Sequence, residues 1–422
     1  MKRLIVSAGV LAAGSTALQA QAPGLLGPGE GRKPWTIGAS MRVFYDDNIL
    51  LAPKGGYGSG TNVVGKPQDS AGFEFAPRLR IFRAVDNDFL QAAYDLSLRY
   101  YFDREGEKTD STHQFSTLWD HRFSERYHLK MEDSLVYSDQ PQVLAQGGAV
   151  VARSKSTAWN NRYAADLEAH VSETAGVRAN YGNRWTDYKE EGDFSYSAIL
   201  DRVEQDLGAS ALWYRSEISI LSVGYTFLPV TFTSENLIRT DGTNNLYGTD
   251  RSYESHRLAA GLHQKLRERM DLEAYVGANI TTYVESDSTI NPYVNISLSY
   301  EYQPDCRIIL GLDHDVTPTD VLGSAANVTQ NQFTTVGSLT ISHKLSPKLT
   351  GNLTTYLQHG VFNGGSSDGD VDNFYVWNLT FNYRFHENLS AELGYAWNRL
   401  ESDVPDRSYS QNRIYVGVRA SY

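Results

Sequence analysis

Cysteine is almost absent. Cys306 is the single one in 422 residues, so no intrachain disulfide can form, and an exported chain of this composition must be held together by other means. Methionine is scarce too, at 4. Beyond the first residues no run approaches the roughly 18 apolar residues of a transmembrane helix, and mean hydropathy is −0.42. Positive charge is in deficit: 38 Lys and Arg against 50 Asp and Glu give −12, without the concentrated basic patches that nucleic-acid binding favours. His113, His121, His170 and His263 are scattered, lacking the spacing of a zinc site. One Gly-x-Ser-x-Gly match, Gly365-Ser-Ser-Asp-Gly369, lies in a Gly- and Asp-rich segment with no helix after it, whereas a nucleophile elbow needs a strand-to-helix turn. These absences predict no enzyme, no cofactor and no nucleic-acid partner.

What is present begins with Met1-Lys2-Arg3, then an uncharged stretch from Leu4 to Leu18, then Gln19-Ala20-Gln21-Ala22-Pro23. A basic start, a short apolar run and small residues are the parts of a secretory signal peptide. Ser7, Gly9, Gly14, Ser15 and Thr16 interrupt the run, which is short for a spanning helix; an uncleaved anchor is the alternative. Cleavage after Ala20 divides the chain into a signal peptide (1–20), a flexible Gly/Pro-rich segment (21–33) and one folded domain (34–422). Losing Lys2 and Arg3 takes the net charge from −12 to −14.

The domain is rich in tyrosine (27), tryptophan (7) and glycine (35), and its apolar residues alternate with polar ones. At the end of the chain Ile414, Val416, Val418, Ala420 and Tyr422 oppose Arg413, Tyr415, Gly417, Arg419 and Ser421. Tyr375, Trp377, Leu379, Phe381, Tyr383 and Phe385 oppose Asn378, Thr380, Asn382 and Arg384, and Trp35, Ile37, Ala39, Met41 and Val43 oppose Thr36, Gly38, Ser40 and Arg42. Successive strand side chains point to opposite faces. A soluble sandwich also alternates, but over about 5 to 6 residues. These runs extend for about 10 to 14, enough to cross a bilayer at the usual tilt, with aromatics at the ends of the oily face where interfacial girdles belong.

The joints alternate in length. Eight are short, such as Val85–Asp88, Arg267–Arg269 and His386–Asn388; nine are longer, including Leu51–Ser70, Gln140–Ser154, Asn236–Thr249, Thr317–Thr329 and Gly360–Asp372. Seventeen joints imply 18 strands. The expected fold is all-β: a transmembrane, up-and-down antiparallel barrel with short periplasmic turns and longer external loops.

Projecting the alternation inward places Arg42, Arg78, Arg80, Arg99, Arg122, Arg178, Arg184, Arg307, Arg384, Arg413 and Arg419 in the lumen. Glu74, Asp95, Asp120, Glu132, Asp166, Glu168, Glu273, Glu301, Asp313 and Glu392 join them. Such residues either tune which solutes pass or pair across strands to hold the wall. Mixed signs predict no strong ion selectivity. About 18 strands leave room for an aqueous channel unless a loop folds in, and Gln140–Ser154 and Asn236–Thr249 are the candidates by length. Asp46-Asp47 and the run Asp368–Asn373 could attract Ca²⁺ or be simply solvated; no metal site is assigned.

Phe44-Tyr-Asp-Asp-Asn-Ile49, with Pro77-Arg-Leu-Arg-Ile81, Tyr94-Asp-Leu and Leu98-Arg-Tyr-Tyr101, resembles the start of the outer-membrane β-barrel porins often associated with exopolysaccharide and exosortase systems. Asp46, Asp47, Asn48 and Ile49 match that family's Asp-Asn-Ile element, and Tyr422 looks like the aromatic C-terminal signal read during barrel assembly. The resemblance implies a bacterial outer-membrane channel for polar solutes, linked to polysaccharide secretion. Its implied partners are outer-membrane lipid and lipopolysaccharide, the barrel-assembly machinery and polysaccharide-export components. A non-conducting surface barrel, structural or adhesive, is the alternative from another class.

Overall fold

The computed structural model describes residues 34–56, 65–139, 157–284, 287–324 and 327–422; the expected signal peptide, the 21–33 segment and the Gln140–Ser154 loop lie outside them. The strand nearest the C-terminus shows the rule for the rest. Ile414, Val416 and Val418 are exposed, while Tyr415 between them is buried. Near the N-terminus Ile37, Met41 and Val43 are exposed and Ser40, Arg42, Phe44 and Asp46 buried. The oily set faces outward and the polar set inward, the inverse of a water-soluble protein and the arrangement of a barrel standing in hydrocarbon.

In chain order the barrel strands are β1 Trp35–Asp46, β2 Ser70–Val85, β3 Asp88–Tyr101, β4 Thr109–Arg122, β5 Tyr127–Ser138 and β6 Ala158–His170. Next come β7 Ala175–Tyr188, β8 Arg202–Ser216, β9 Ser219–Phe232, β10 Tyr253–Arg267, β11 Met270–Tyr283 and β12 Thr289–Gln303. The last six are β13 Cys306–Thr317, β14 Asn331–Ser346, β15 Leu349–Asn363, β16 Val371–His386, β17 Leu389–Ser402 and β18 Tyr409–Ser421. They form one 18-stranded sheet in which each strand pairs antiparallel with its sequence neighbours. β18 returns to β1, Gly38 opposite Ser421 through Asp46 opposite Arg413, so the sheet closes and no edge remains unpaired.

Strands of 12 to 16 residues at the usual tilt stand about 30 to 40 Å tall, enough to pass the apolar band and project at both rims. The eight tight turns collect at one rim and the nine longer connections at the other. Asp86 and Asp305, each in a two-residue turn, take left-handed φ of 50° and 63°, as tight hairpins require. At the short-turn rim Trp35 lies 5.8 Å from Tyr422 and Tyr383 lies 5.1 Å from Phe385. At the long-loop rim Tyr137 lies 4.6 Å from Trp159 and Tyr375 stacks on Trp397. These are the two interfacial girdles of a membrane barrel.

Candidate functional site

Inside the barrel, the residues facing one another are set by register. Arg42 on β1 lies opposite Glu74 on β2, and Glu74 opposite Arg99 on β3. Arg42 Nη1 donates to Glu74 at 2.9 Å and Arg99 Nε to the same carboxylate at 2.6 Å. On its other side Arg42 faces Gly417 of β18. A Cβ there would sit 2.7 Å from Arg42 Cγ, so glycine lets the guanidinium pass over β18 to Glu392 on β17, which also accepts from Arg419 at 3.1 Å. The resulting ladder of alternating charge crosses the seam where the barrel closes. Tyr415 leans over Gly394 in the same way, and its hydroxyl meets Thr380 on β16 at 3.0 Å.

Most predicted lumen residues are paired. Arg78 and Arg80 lie 3.7 and 3.4 Å from Asp95; Arg178 donates to Glu168 at 2.9 Å; Arg184 reaches Glu204 at 3.4 Å. Glu132 pairs with Lys130, Asp120 with His128, and Glu273 with His263 at 3.3 Å. Asp313 accepts from Asn295 Nδ2, and Asp166 lies inward on β6 beside Lys130. Arg307 and Glu301, opposite each other in register, are exposed at the short-turn rim, as is Arg384, which donates to the Pro347 carbonyl. Arg122 ends β4 at the same rim. Arg413 sits at the far rim against Asp46. Tyr422 closes β18 through a pair of backbone hydrogen bonds with Ile37 and is exposed.

A second cluster contains Arg184 and Asp313 from the sequence reading, which missed its other charged members. Arg162, Arg184, Arg202 and Arg257 share a cavity of about 200 Å³ with Glu204, Asp206, Asp313 and Asp315 on the wall formed by β6 to β13. Arg257 donates to Asp315 at 2.6 Å, and its guanidinium stands 3.8 Å from the ring centre of Tyr293. The signal was available, because Arg202, Glu204 and Asp206 are spaced by two along one strand, the spacing that puts them on one face.

The long-loop rim carries a cap. The 189–201 connection contains a short helix, α1 Tyr196–Leu200, whose Ser195 Oγ accepts from Ala198 N. Ala198 packs with Ile238 and Leu246 of the 233–252 connection and with Leu322 and Val328 of the 318–330 connection. Arg251, wholly buried, donates to the Ile199 carbonyl at 2.8 Å and to the Thr319 carbonyl, with its guanidinium over the Phe232 ring. Arg407 forms a two-pronged pair with Asp320, 2.7 Å at each prong, and donates to Asp372 at 2.9 Å. Burial pushes the Asp201 carboxyl up to about 6, although the Ser197 hydroxyl and the Tyr188 amide both donate to it.

The 233–252 connection leaves β9, halfway round the ring from the β1–β18 seam. Yet its Ile238 and Arg239 line a cavity of about 590 Å³ together with Leu51 beyond β1 and Tyr409 at the start of β18. The loop therefore reaches across the mouth. Of the two plug candidates in the sequence, Asn236–Thr249 is in this position, and Gln140–Ser154 lies outside the described residues.

The acidic pair Asp46-Asp47, read as a cation candidate, has other partners. Asp46 is fully buried and accepts from Arg413, Gln411 and the Asn48 amide; Asp47 accepts from the backbone and side chain of Asn412. The Asp-Asn-Ile element thus locks the end of β1 to β18. Gly365–Ser367 forms a single 3₁₀ turn followed by strand β16, so no strand-to-helix elbow is present. His113, on the outer face, shares a hydrogen bond with Tyr94, whereas His263 faces inward; no group of three metal-binding side chains occurs among the described residues.

Residues 226–422 match the family described as Putative beta-barrel porin 2. This part of the chain is similar to that porin family. The match runs from the middle of β9 to the C-terminus, and this similarity, the closed barrel and the outward apolar belt support a porin-like outer-membrane β-barrel. No curated protein matches the chain. Among solved structures, the outer membrane protein OpdK of Pseudomonas aeruginosa is 12% identical, covering 92% of this chain and 99% of its own, with a TM-score of 0.43. A BenF-like porin of Pseudomonas fluorescens is 9% identical over 92% and 99%, with a TM-score of 0.46. The siderophore receptor PirA of Acinetobacter baumannii is 9% identical over 92% and 80%, with a TM-score of 0.41.

Proposed function

We propose that this barrel is a passive channel for polar solutes whose external mouth is narrowed by its own loops. The observation that carries this reading is the charged, hydrogen-bonded interior of an 18-stranded wall, wide enough at that strand count for water and small solutes. Paired charges of both signs offer a passing solute many shallow contacts and no deep one, so selectivity rests on cross-section and local field. Diffusion through this lining, rather than reaction, is the proposed chemistry. Export of a polysaccharide, as the family resemblance implies, requires the cap to swing aside for the chain. Lipopolysaccharide around the outer belt, the assembly machinery reading Tyr422, and export components at the short-turn rim are the proposed partners.

The packed cap also favours a second reading, a non-conducting surface barrel whose loops do the work. Planar-bilayer recordings separate the two. Purified protein should insert with small, fluctuating conductance, and deleting 236–249 should raise it several-fold. A correctly inserted barrel that stays silent both intact and after the deletion ends the channel reading.

A further inference from the structure

The outward face of the barrel is apolar along its strands, but a row of polar side chains interrupts it on β5 to β8. On β5 the outward side chains are Tyr127, Leu129, Met131, Asp133, Leu135 and Tyr137. Asp133 is therefore inside the belt, between the aromatic residues of the two girdles. Its register partners are Thr117 and Tyr163, and the next outward position on β5, Leu135, faces Phe115, which is 43% exposed. Among the described residues, every other outward carboxylate on a barrel strand is within two residues of a strand end: Asp88, Asp187, Glu254 and Glu401. One amide touches Asp133, and two more lie two and three strands away along its register row, beyond Tyr163. Asn161 Nδ2 donates to it at 2.8 Å, and Asn183 and Gln205 continue its register row across β7 and β8. Toward the short turns this wall is smooth, with Ala165, Ala179, Ala209 and Ala211 facing outward.

A carboxylate facing acyl chains is costly, and one amide does not replace its hydration. Polar side chains inside a membrane belt mark places where another protein surface supplies hydrogen bonds, and small residues beside them let backbones approach closely. The chemistry of the patch also indicates its partner. It holds one acceptor-only carboxylate, three amides that both donate and accept, and no cation. A second copy of the same face, turned by a two-fold axis, offers amide donors to each Asp133 and receives the same in return, the self-complementarity of an isologous contact. We infer that the β5–β8 face is a self-association surface and that the barrel pairs with a second copy of this chain through Asp133, Asn161, Asn183 and Gln205.

Cross-linking in intact outer membranes tests this. The full chain carries Cys306→Ser to remove its one thiol and Leu207→Cys on the outer face of β8, and is treated with a short bis-maleimide. A dimer of the chain is expected, and none when the cysteine is instead at Leu310 on the outer face of β13. Asp133→Leu should abolish the dimer while heat-modifiable migration on gels reports a folded barrel. Asn183→Leu, which leaves the carboxylate in place, should give the same loss and covers the case in which Asp133→Leu does not assemble. A Leu207→Cys barrel that stays monomeric, a dimer that both variants leave unchanged, or an adduct with a different protein would each overturn the proposal.

Discussion

Leu379 shows how a single position reads the solvent. It sits midway along the outward row of β16, between Trp377 and Phe381, opposite Leu353 and Tyr395. Leu379→Arg should cost about 2 to 4 kcal/mol, the range for a cation at the midplane of a barrel wall. Its neighbour Thr380 faces inward and meets the Tyr415 hydroxyl, so Thr380→Val should cost about 1 kcal/mol, one hydrogen bond. Folding titrations into lipid vesicles measure both; the reverse ranking would mean that inside and outside had been exchanged by a one-residue slip. The same scale explains why most charges of the lumen are paired. Buried among strands, Glu392 needs Arg42 and Arg419, because a lone buried charge costs several kcal/mol.

At the scale of elements, the cap is the part most open to perturbation, because it is held by one small apolar cluster and a few polar contacts rather than by the ladder. Arg407→Ala leaves the Asp320 and Asp372 carboxylates without their shared cation, a loss of about 3 to 5 kcal/mol if the site remains buried. Loop opening relieves that cost, so the expected outcome is faster amide exchange across 318–330 with the strands unchanged, read by hydrogen–deuterium exchange. Asp201 adds a pH dependence. Its carboxyl titrates near 6 in the folded protein against 3.8 for an ordinary aspartate. The folded cap therefore holds this proton more tightly than the opened loop, and its stability falls as pH rises between those two values. Protection factors of the 196–200 amides, with exchange corrected for its intrinsic pH dependence, should be higher at pH 4.5 than at pH 7. Asp201→Asn, which keeps the acceptor for the Tyr188 amide, should flatten that difference, and an unchanged profile would remove Asp201 from the account.

At the scale of the whole molecule, orientation follows from joint lengths, since outer-membrane barrels keep their short turns in the periplasm. Ser366 is exposed in the 364–370 connection and Ser346 at a short turn, whereas the native Cys306 is buried and adds no background. A membrane-impermeant maleimide should label Ser366→Cys on intact cells and spare Ser346→Cys. Labelling at Ser346→Cys alone would invert the barrel.

Strand number, joint lengths and the two faces of each strand were legible in the amino-acid sequence, because alternation of period two and turn composition are local properties that any hydrocarbon-facing barrel must display. The 18 strands and the inward placement of Arg42, Glu74 and Glu392 followed from them. Pairing was not legible. Arg42 and Glu392 are 350 residues apart, and only closure of β18 onto β1, with Gly417 leaving space between them, brings the two together. Nor was the cap, since Arg407 and Asp320 stand 87 residues apart in loops whose polar composition reads as solvated. Asp46 and Asp47 suggested a cation until register put Arg413 and Asn412 beside them. Local pattern chooses the face a residue takes; long-range register, which depends on ring closure, decides what it meets there.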